Sequence, residues 1–381
     1  HHALKLNTTA ADNTAVGRNA LCTTTTGCVN TAVGSSAMQS NTTGDENVAI
    51  GGGALYDNTT ADHNTAVGHN AATNTTTGKD NTVVGSSALF TNTTGHDNIV
   101  IGCGALYSNT SGADNIGIGY QALYNNTSAC SNSAMGWQAM AANTTGDFNT
   151  AVGFTALTAN TTADNNTAIG HMALKTNTGA GHHNTAVGAF SLNSNTTAAD
   201  NVAIGQGALY ANTTGANNVA VGAEALDANT TAANNTAIGR NSLTTNTTGA
   251  DNTAVGRTSM ESNTEGDNNV AVGLDALAAN TTADNNTALG YASLAANTTG
   301  AGNTSVGKDA LKANTTGAEN VAVGIFALKT NTSAAKNTAM GYAALCSNTT
   351  GAENTAVGAA SMITNTTGAA NVAMGFCAMK F

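Results

Sequence analysis

Tyr120, Trp137, Phe154 and His171 follow one another at intervals of seventeen residues, and so do Phe90, Tyr107 and Tyr124. Rings held at such a spacing would form stripes. An exposed aromatic stripe can stack on the sugars of a receptor glycan; more plainly, neighbouring rings stack on one another. Acidic residues recur in the same manner, with Asp12, Asp80, Asp97, Asp114, Asp200 and Asp251 in one phase. Stacked carboxylates are candidates for Ca²⁺, but Asn, Glu, His and Phe occupy that phase too, which favours a solvated turn. His182 and His183 are adjacent, and neighbours on an extended chain point apart, so they make a poor chelate. The remaining histidines (His1, His2, His63, His69, His96 and His171) read as surface residues. No Ser or Thr is paired with a His and an acid, and Gly117 and Gly119 precede no helical pattern, so neither a nucleophile nor a nucleotide loop is expected. The reading is of a non-enzyme without cofactor or metal.

These spacings belong to a repeat that runs through the 381 residues. Taking the Gly of NTAVG as position 0, it falls at Gly17, Gly34, Gly51 and onward every seventeen residues to Gly170. One step of eighteen leads to Gly188, and seventeen resumes to Gly375, giving twenty-two units. The extra residue lies in 178–183, between two fixed Asn positions, and is assigned to a turn. Four before the Gly is always Asn, from Asn13 through Asn252 to Asn371; one before is always aliphatic, as Val255. Three after is Ala or Ser, four after is Leu or Met except Ala72, as Leu277, and seven after is Asn, as Asn41, except Thr24 and Thr75.

Seventeen residues are too few for a helical repeat. Short segments punctuated by Gly and Asn, rich in Thr and poor in helix formers, read as strands and corners. The expected fold is all-β: a parallel β-solenoid of about 22 coils, one per repeat, stacked about 4.8 Å apart. Residues 1–381 form one repeat solenoid, which opens and closes mid-pattern as a segment of a longer chain would. In this reading the aliphatic before the Gly and the Leu after it form two interior apolar ladders. The Asn columns form amide ladders, and Gly256 and Gly273, like their copies, permit a corner. Disordered low-complexity sequence has no reason to hold an aliphatic at one phase for twenty-two units.

Composition narrows the function. Charged residues are 9%, aromatics 4%, Pro is absent, and the net charge is −11 with eleven Lys and Arg. No basic cluster suits nucleic acid, and no run of about eighteen apolar residues suits a membrane helix. Position −3 is usually Thr but carries Val or Ile in eight units: Val48, Ile99, Ile116, Val202, Val219, Val270, Val321 and Val372. A column that accepts either is expected to face a partner chain, and a homotrimer covers it best; a monomeric solenoid is the alternative.

The phrase NTAVG or NVAIG followed by Ala-Leu and a polar turn resembles the head repeats of trimeric autotransporter adhesins. The longer NTAVGxxALxxNTTG form resembles repeat regions of phage and virus tail fibres. The resemblance covers essentially the whole chain, although the period is seventeen rather than about fourteen as in those adhesin heads. It implies a left-handed, trimeric β-roll that acts as a structural shaft, holds an adhesive tip away from a cell or virion, and sits at the cell or virion surface. Cys22, Cys28, Cys103, Cys130, Cys346 and Cys377 fall in variable columns with no stacked pair, and read as free thiols. That suits assembly in a reducing compartment, and so a tail fibre. The Asn-Thr-Thr sequons lean the same way if their Asn points inward. Binding of ice is the competing class. Because the Thr pairs are adjacent, strand alternation is expected to send them to opposite faces.

Overall fold

A computed structural model describes residues 2–379. They fall into two compact units, one ending at Phe190 and one beginning at Ser191. The first contains eleven strands, from β1 (Thr14–Val16) to β11 (Thr185–Val187); the second contains eleven more, from β12 (Val202–Ile204) to β22 (Val372–Met374). Every strand has three residues, and no helix occurs among the described residues. Within each unit successive strands pair in parallel one repeat apart, as Thr14↔Thr31, Ala15↔Ala32 and Val16↔Val33 in the first and Val202↔Val219 in the second. The chain is therefore a parallel β-solenoid with one coil per repeat.

The eighteen-residue step leaves this register intact, since Thr167 pairs with Thr185. The added residue is absorbed at the corner, where Asn177 donates its side-chain N–H to Gly181 O at 2.8 Å, four residues on rather than the usual three.

Between the first and last coils, each coil buries six columns. Ala at −2, Ala or Ser at +3 and Leu or Met at +4 are inside, as Ala49, Ala54 and Leu55, all 0% exposed. The two Asn columns and the small residue at +10 complete the interior. The aliphatic at −1 faces out: Ile50 is 41% exposed and Leu289 46%, and Val255 is half-buried. This corrects the expectation of two interior aliphatic ladders. Alternate residues of a strand face opposite sides, and in a three-residue strand only the middle one, Ala, points inward. The Leu or Met at +4, Ala72 apart, fills the interior against a −2 wall of small residues, Ala in most coils with Val83, Val100, Gly117 and Ser305 as exceptions. A methyl built on Gly117 would lie 2.5 Å from Leu106 Cδ1.

Three non-glycine columns adopt left-handed backbone. They are +2, +4 and +12, as in Glu224 (φ 58), Leu226 (φ 52) and Asn234 (φ 61). Left-handed Leu costs about 1–2 kcal/mol per residue, which complete burial of the side chain, worth about 1.5–3 kcal/mol, offsets. Position +12 is the acidic phase noted above. Eleven of its twenty-two residues are Asp or Asn, the side chains most tolerant of this conformation.

The amide ladders are present in both Asn columns. At −4, the Asn269 amide donates to Asn252 Oδ1 at 3.2 Å and to Ala283 O at 2.8 Å, and its backbone N–H also donates to Asn252 Oδ1 at 2.9 Å. At +7, Asn58 donates to Asn41 Oδ1 at 3.0 Å and to Ala61 O at 3.1 Å. Where the sequence breaks the column, the ladder breaks. Thr75 follows Asn58, and Asn58 Oδ1 is buried without a partner. Thr75→Asn is expected to supply the missing N–H and raise stability by about 1 kcal/mol. A thermal midpoint equal to or below that of the parent protein would contradict it.

Candidate binding surfaces

The aromatic residues singled out from the sequence come together as two stacks in the first unit. Tyr120–Trp137, Trp137–Phe154 and Phe154–His171 have ring centroids 5.9, 4.9 and 5.4 Å apart with interplanar angles of 16°, 6° and 21°. Phe190 then meets His171 edge-on. Phe90–Tyr107 and Tyr107–Tyr124 are both 5.2 Å apart and nearly parallel. The ring faces within each stack are thus occupied by one another, and what remains outward is their edges. Tyr120, Trp137 and Phe154 are 43–44% exposed, while Phe90, Tyr107 and Tyr124 are half-buried. Stacking of the rings is the dominant interaction, and a glycan would meet ring edges along the stripe and open faces only at its ends.

The polar candidates have local partners. His63 lies between Glu46, at 3.5 Å, and Asp80, at 3.3 Å, and His96 Nδ1 is 2.7 Å from Asp97. Asp12, Asp114, Asp200 and Asp251 occupy the left-handed corner at +12. His182 Nδ1 accepts the Asp164 backbone N–H at 3.0 Å, and its ring is 6.1 Å from that of His183 and tilted by 46°. That nitrogen is committed to backbone. No group of three His, Cys, Asp or Glu side chains is placed to hold a metal among the described residues. His1 lies outside the described residues.

Sequence reasoning missed a second acidic column, at +11. Asp45 accepts the Cys28 backbone N–H and Asp62 accepts that of Asp45. Asp147 with Asp164, and Asp267 with Asp284, repeat the arrangement. These carboxylates extend the backbone ladder at a corner. Their signal was the recurrence of Asp pairs seventeen residues apart.

All six cysteines are free thiols. Cys28 and Cys130 sit in the same +11 column, where their sulfurs accept the N–H of Ala11 and Ala113 at 3.4 Å. Burial pushes the Cys346 thiol above its ordinary range, only partly countered by Lys329. Burial and the neighbouring Glu224 raise the Asp227 carboxyl.

The Thr pairs do not behave as expected. Their segments are not strands, so alternation does not apply. Thr42 is half-buried and Thr43 is exposed. The Thr42 hydroxyl donates to the carbonyl of Thr59 in the following coil at 2.9 Å, and Thr213 does the same to Thr230 at 3.0 Å. That column spends its hydroxyls on backbone. The Asn of most Asn-Thr-Thr sequons, such as Asn41 and Asn246, is 0% exposed, with Asn7, Asn74 and Asn365 as exceptions, so a glycan at the buried ones is incompatible with the folded coil.

A regular surface runs along the outer face of the strands, formed by positions −3 and −1. Neither position holds a charged residue in any of the twenty-two repeats. The bordering positions +11 and +12 hold fifteen of the 22 acids and only Lys79 and Lys336 among the basic residues. On the other side, positions +1, +2 and +5 hold nine of the eleven Lys and Arg against five acids, Glu224, Asp227, Glu261, Asp275 and Asp309. An uncharged strip of Thr and aliphatic side chains is therefore bordered by an acidic edge and by a mixed one that holds most of the Lys and Arg. Over eleven coils, each strip is about 50 Å long and 10 Å wide, on the order of 500 Å². A patch of this size is at the upper end for a monomer's surface.

A scan against protein-family models and a search of curated proteins found no match for this chain. No helix among the described residues is long and apolar enough to cross a membrane.

Proposed function

We propose that this chain is a non-enzymatic structural shaft of the tail-fibre or cell-surface-adhesin type. It assembles as a homotrimer with the strand faces turned toward a common axis, in left-handed coils, and supports receptor or surface binding outside the particle or cell. The observation that carries this reading is the uncharged strand face, with acids along one edge and most of the Lys and Arg along the other. In a cyclic trimer every contact is between unlike edges, so the acidic edge of one copy lies beside the edge of the next that holds most of its Lys and Arg, while the strand faces are withdrawn from water. A chain of net charge −11 has no better place to approach its own copies. The aromatic stripes of the first unit lie on other columns and remain available to a glycan at their ends and edges.

Light scattering on the purified protein tests this. The expected mass is about three times the 37.4 kDa of the chain. Ile238 and Leu289 are 40% and 46% exposed on the strand face. Replacing both by Lys is expected to leave the coil folded, as judged by circular dichroism, and to yield monomers. A parent protein of single-chain mass would overturn the trimer. It would favour a monomer whose flat strand face meets ice or another extended surface, read out as thermal hysteresis.

A further inference from the structure

The +11 corner holds a backbone N–H that only some coils use. Where the following coil has Asp at +11, its carboxylate takes that N–H. Asp45, Asp62, Asp147, Asp164, Asp267 and Asp284 accept in this way from Cys28, Asp45, Cys130, Asp147, Ala250 and Asp267, at 2.6–2.8 Å. Cys28, Cys130 and His182 accept at the same place. The corner is thus an acceptor site that the chain fills from within, most often with a carboxylate, and such charge-assisted bonds are the stronger kind. Where Ala follows Ala, nothing of the chain fills it. The N–H groups of Ala216 and Ala233 have no partner, although the Ala216 carbonyl takes the N–H of Asn234 at 3.1 Å.

These two donors lie in consecutive coils, about 4.8 Å apart. Around them, Thr214 and Thr231 are exposed at +9 and Asn217 and Asn234 are exposed at +12, and none of these four side chains is hydrogen-bonded to the chain. No charged residue occurs from 201 to 223 or from 228 to 239; Asp200 and Asp251 stand at +12 one coil beyond either end. A net charge of −11 opposes an anion at long range, and an uncharged stretch lessens that opposition where the free donors are. We propose that this corner binds a carboxylate-bearing ligand, an acidic glycan whose carboxylates take the Ala216 and Ala233 N–H groups while its hydroxyls meet the Thr and Asn side chains. Successive backbone N–H groups bind anions in this manner. The carboxylate rests on the six intramolecular pairs; the glycan rests on the receptor-binding reading given above, and on hydroxyl and amide neighbours that suit a polyhydroxylated ligand.

NMR of the protein carrying isotope-labelled alanine tests this, because Ala250 is a built-in control: Asp267 already holds its N–H. Sodium acetate is expected to shift the Ala216 and Ala233 amides saturably, beyond the effect of sodium chloride at equal ionic strength, and to leave Ala250 unmoved. Ala233→Asp supplies to Ala216 the carboxylate that Asp267 supplies to Ala250, and is expected to abolish the response at Ala216. Asp267→Ala is expected to bring Ala250 among the responding amides. Polygalacturonate is expected to act at carboxylate concentrations roughly tenfold below those of acetate, through its repeated groups, and its methyl ester to have no effect. No shift at Ala216 and Ala233, or an equal shift at Ala250, would overturn the site. A response to acetate with none to polygalacturonate would overturn the glycan. A response confined to the Ile238→Lys, Leu289→Lys monomer would show that a neighbouring copy covers the corner, which overturns the site in the assembled shaft while supporting the trimer. A single-chain mass for the parent, with the acetate response intact, would remove the trimer and leave the carboxylate site standing.

Discussion

Gly256→Ala is expected to destabilise the second unit by on the order of 3–5 kcal/mol, in the range reserved for backbone strain combined with overpacking. Gly256 has φ 137°, a value that L side chains rarely adopt, and a methyl there would lie 2.5 Å from the carbonyl oxygen of Gly273 in the following coil. The obstacle is backbone, so no side chain can rotate away. Relief requires the two coils to separate, which would lengthen the parallel hydrogen bonds on either side, such as Gly256 N–H to Ile238 O at 2.7 Å. Because stability in repeat proteins is a sum over neighbouring units, the damage is local and best read by hydrogen exchange on the coils around residue 256. Gly207→Ala is the control. It has φ 67°, but a methyl there meets nothing closer than Asp227 at 3.8 Å, and other coils carry Thr258 or Glu224 at the same position with comparable φ. Its cost should stay near 1 kcal/mol. If the two substitutions cost the same, close backbone approach at position 0 is not what holds that column to glycine.

Asn269→Ala is the second large effect, expected to cost about 2–4 kcal/mol. Asn269 is fully buried. Its amide nitrogen donates to Asn252 Oδ1 and Ala283 O, and its oxygen accepts the backbone N–H of Asn286 at 2.9 Å. Truncation strands the Asn286 N–H in the interior and removes one of the two donors to the Ala283 carbonyl, which keeps the Asn280 amide at 3.0 Å; an orphaned buried polar group costs more than a hydrogen bond returns. Asn269→Asp separates geometry from donors. It keeps the shape and the acceptor, but the ionised carboxylate has no hydrogen to give and faces Asn252 Oδ1. Burial raises the folded-state pKa of such a carboxyl above its unfolded value, so the ionised form is the destabilised one. The penalty is therefore largest at neutral pH and shrinks as pH falls through the folded-state pKa, where the protonated acid regains a donor. Chemical denaturation at pH 7 and pH 4, relative to the parent protein at each pH, measures this. An Asp variant no more costly at pH 7 than at pH 4 would show that the amide N–H is dispensable.

How far the sequence reached is clearest at three columns. The Asn at −4 and +7 were legible as ladders because an amide stacks on a copy of itself through both a donor and an acceptor, and few other side chains satisfy both. The eighteen-residue step was legible as a corner because its length differs while the flanking Asn residues do not. The acids at +12 were legible only as a recurrence. Their cause is a left-handed backbone that Asp and Asn tolerate, and backbone conformation leaves just that weak preference in the residue types. The aromatic columns showed which rings neighbour one another, but not that the stacking consumes their faces.

The sequence by itself determined the period, the parallel register of coil on coil, and which residues meet their own copies. A seventeen-residue repeat with one residue type per column admits little else. What only the tertiary structure decided is which columns point inward. Stacking holds a column constant whether it lies inside the coil or outside it, so constancy cannot distinguish the two. Hydrophobicity alone placed the aliphatic at −1 within, beside Leu. The coil is too narrow for both, the middle residue of each strand is the one that turns inward, and Val255 and its copies are left on the outer face of the strands.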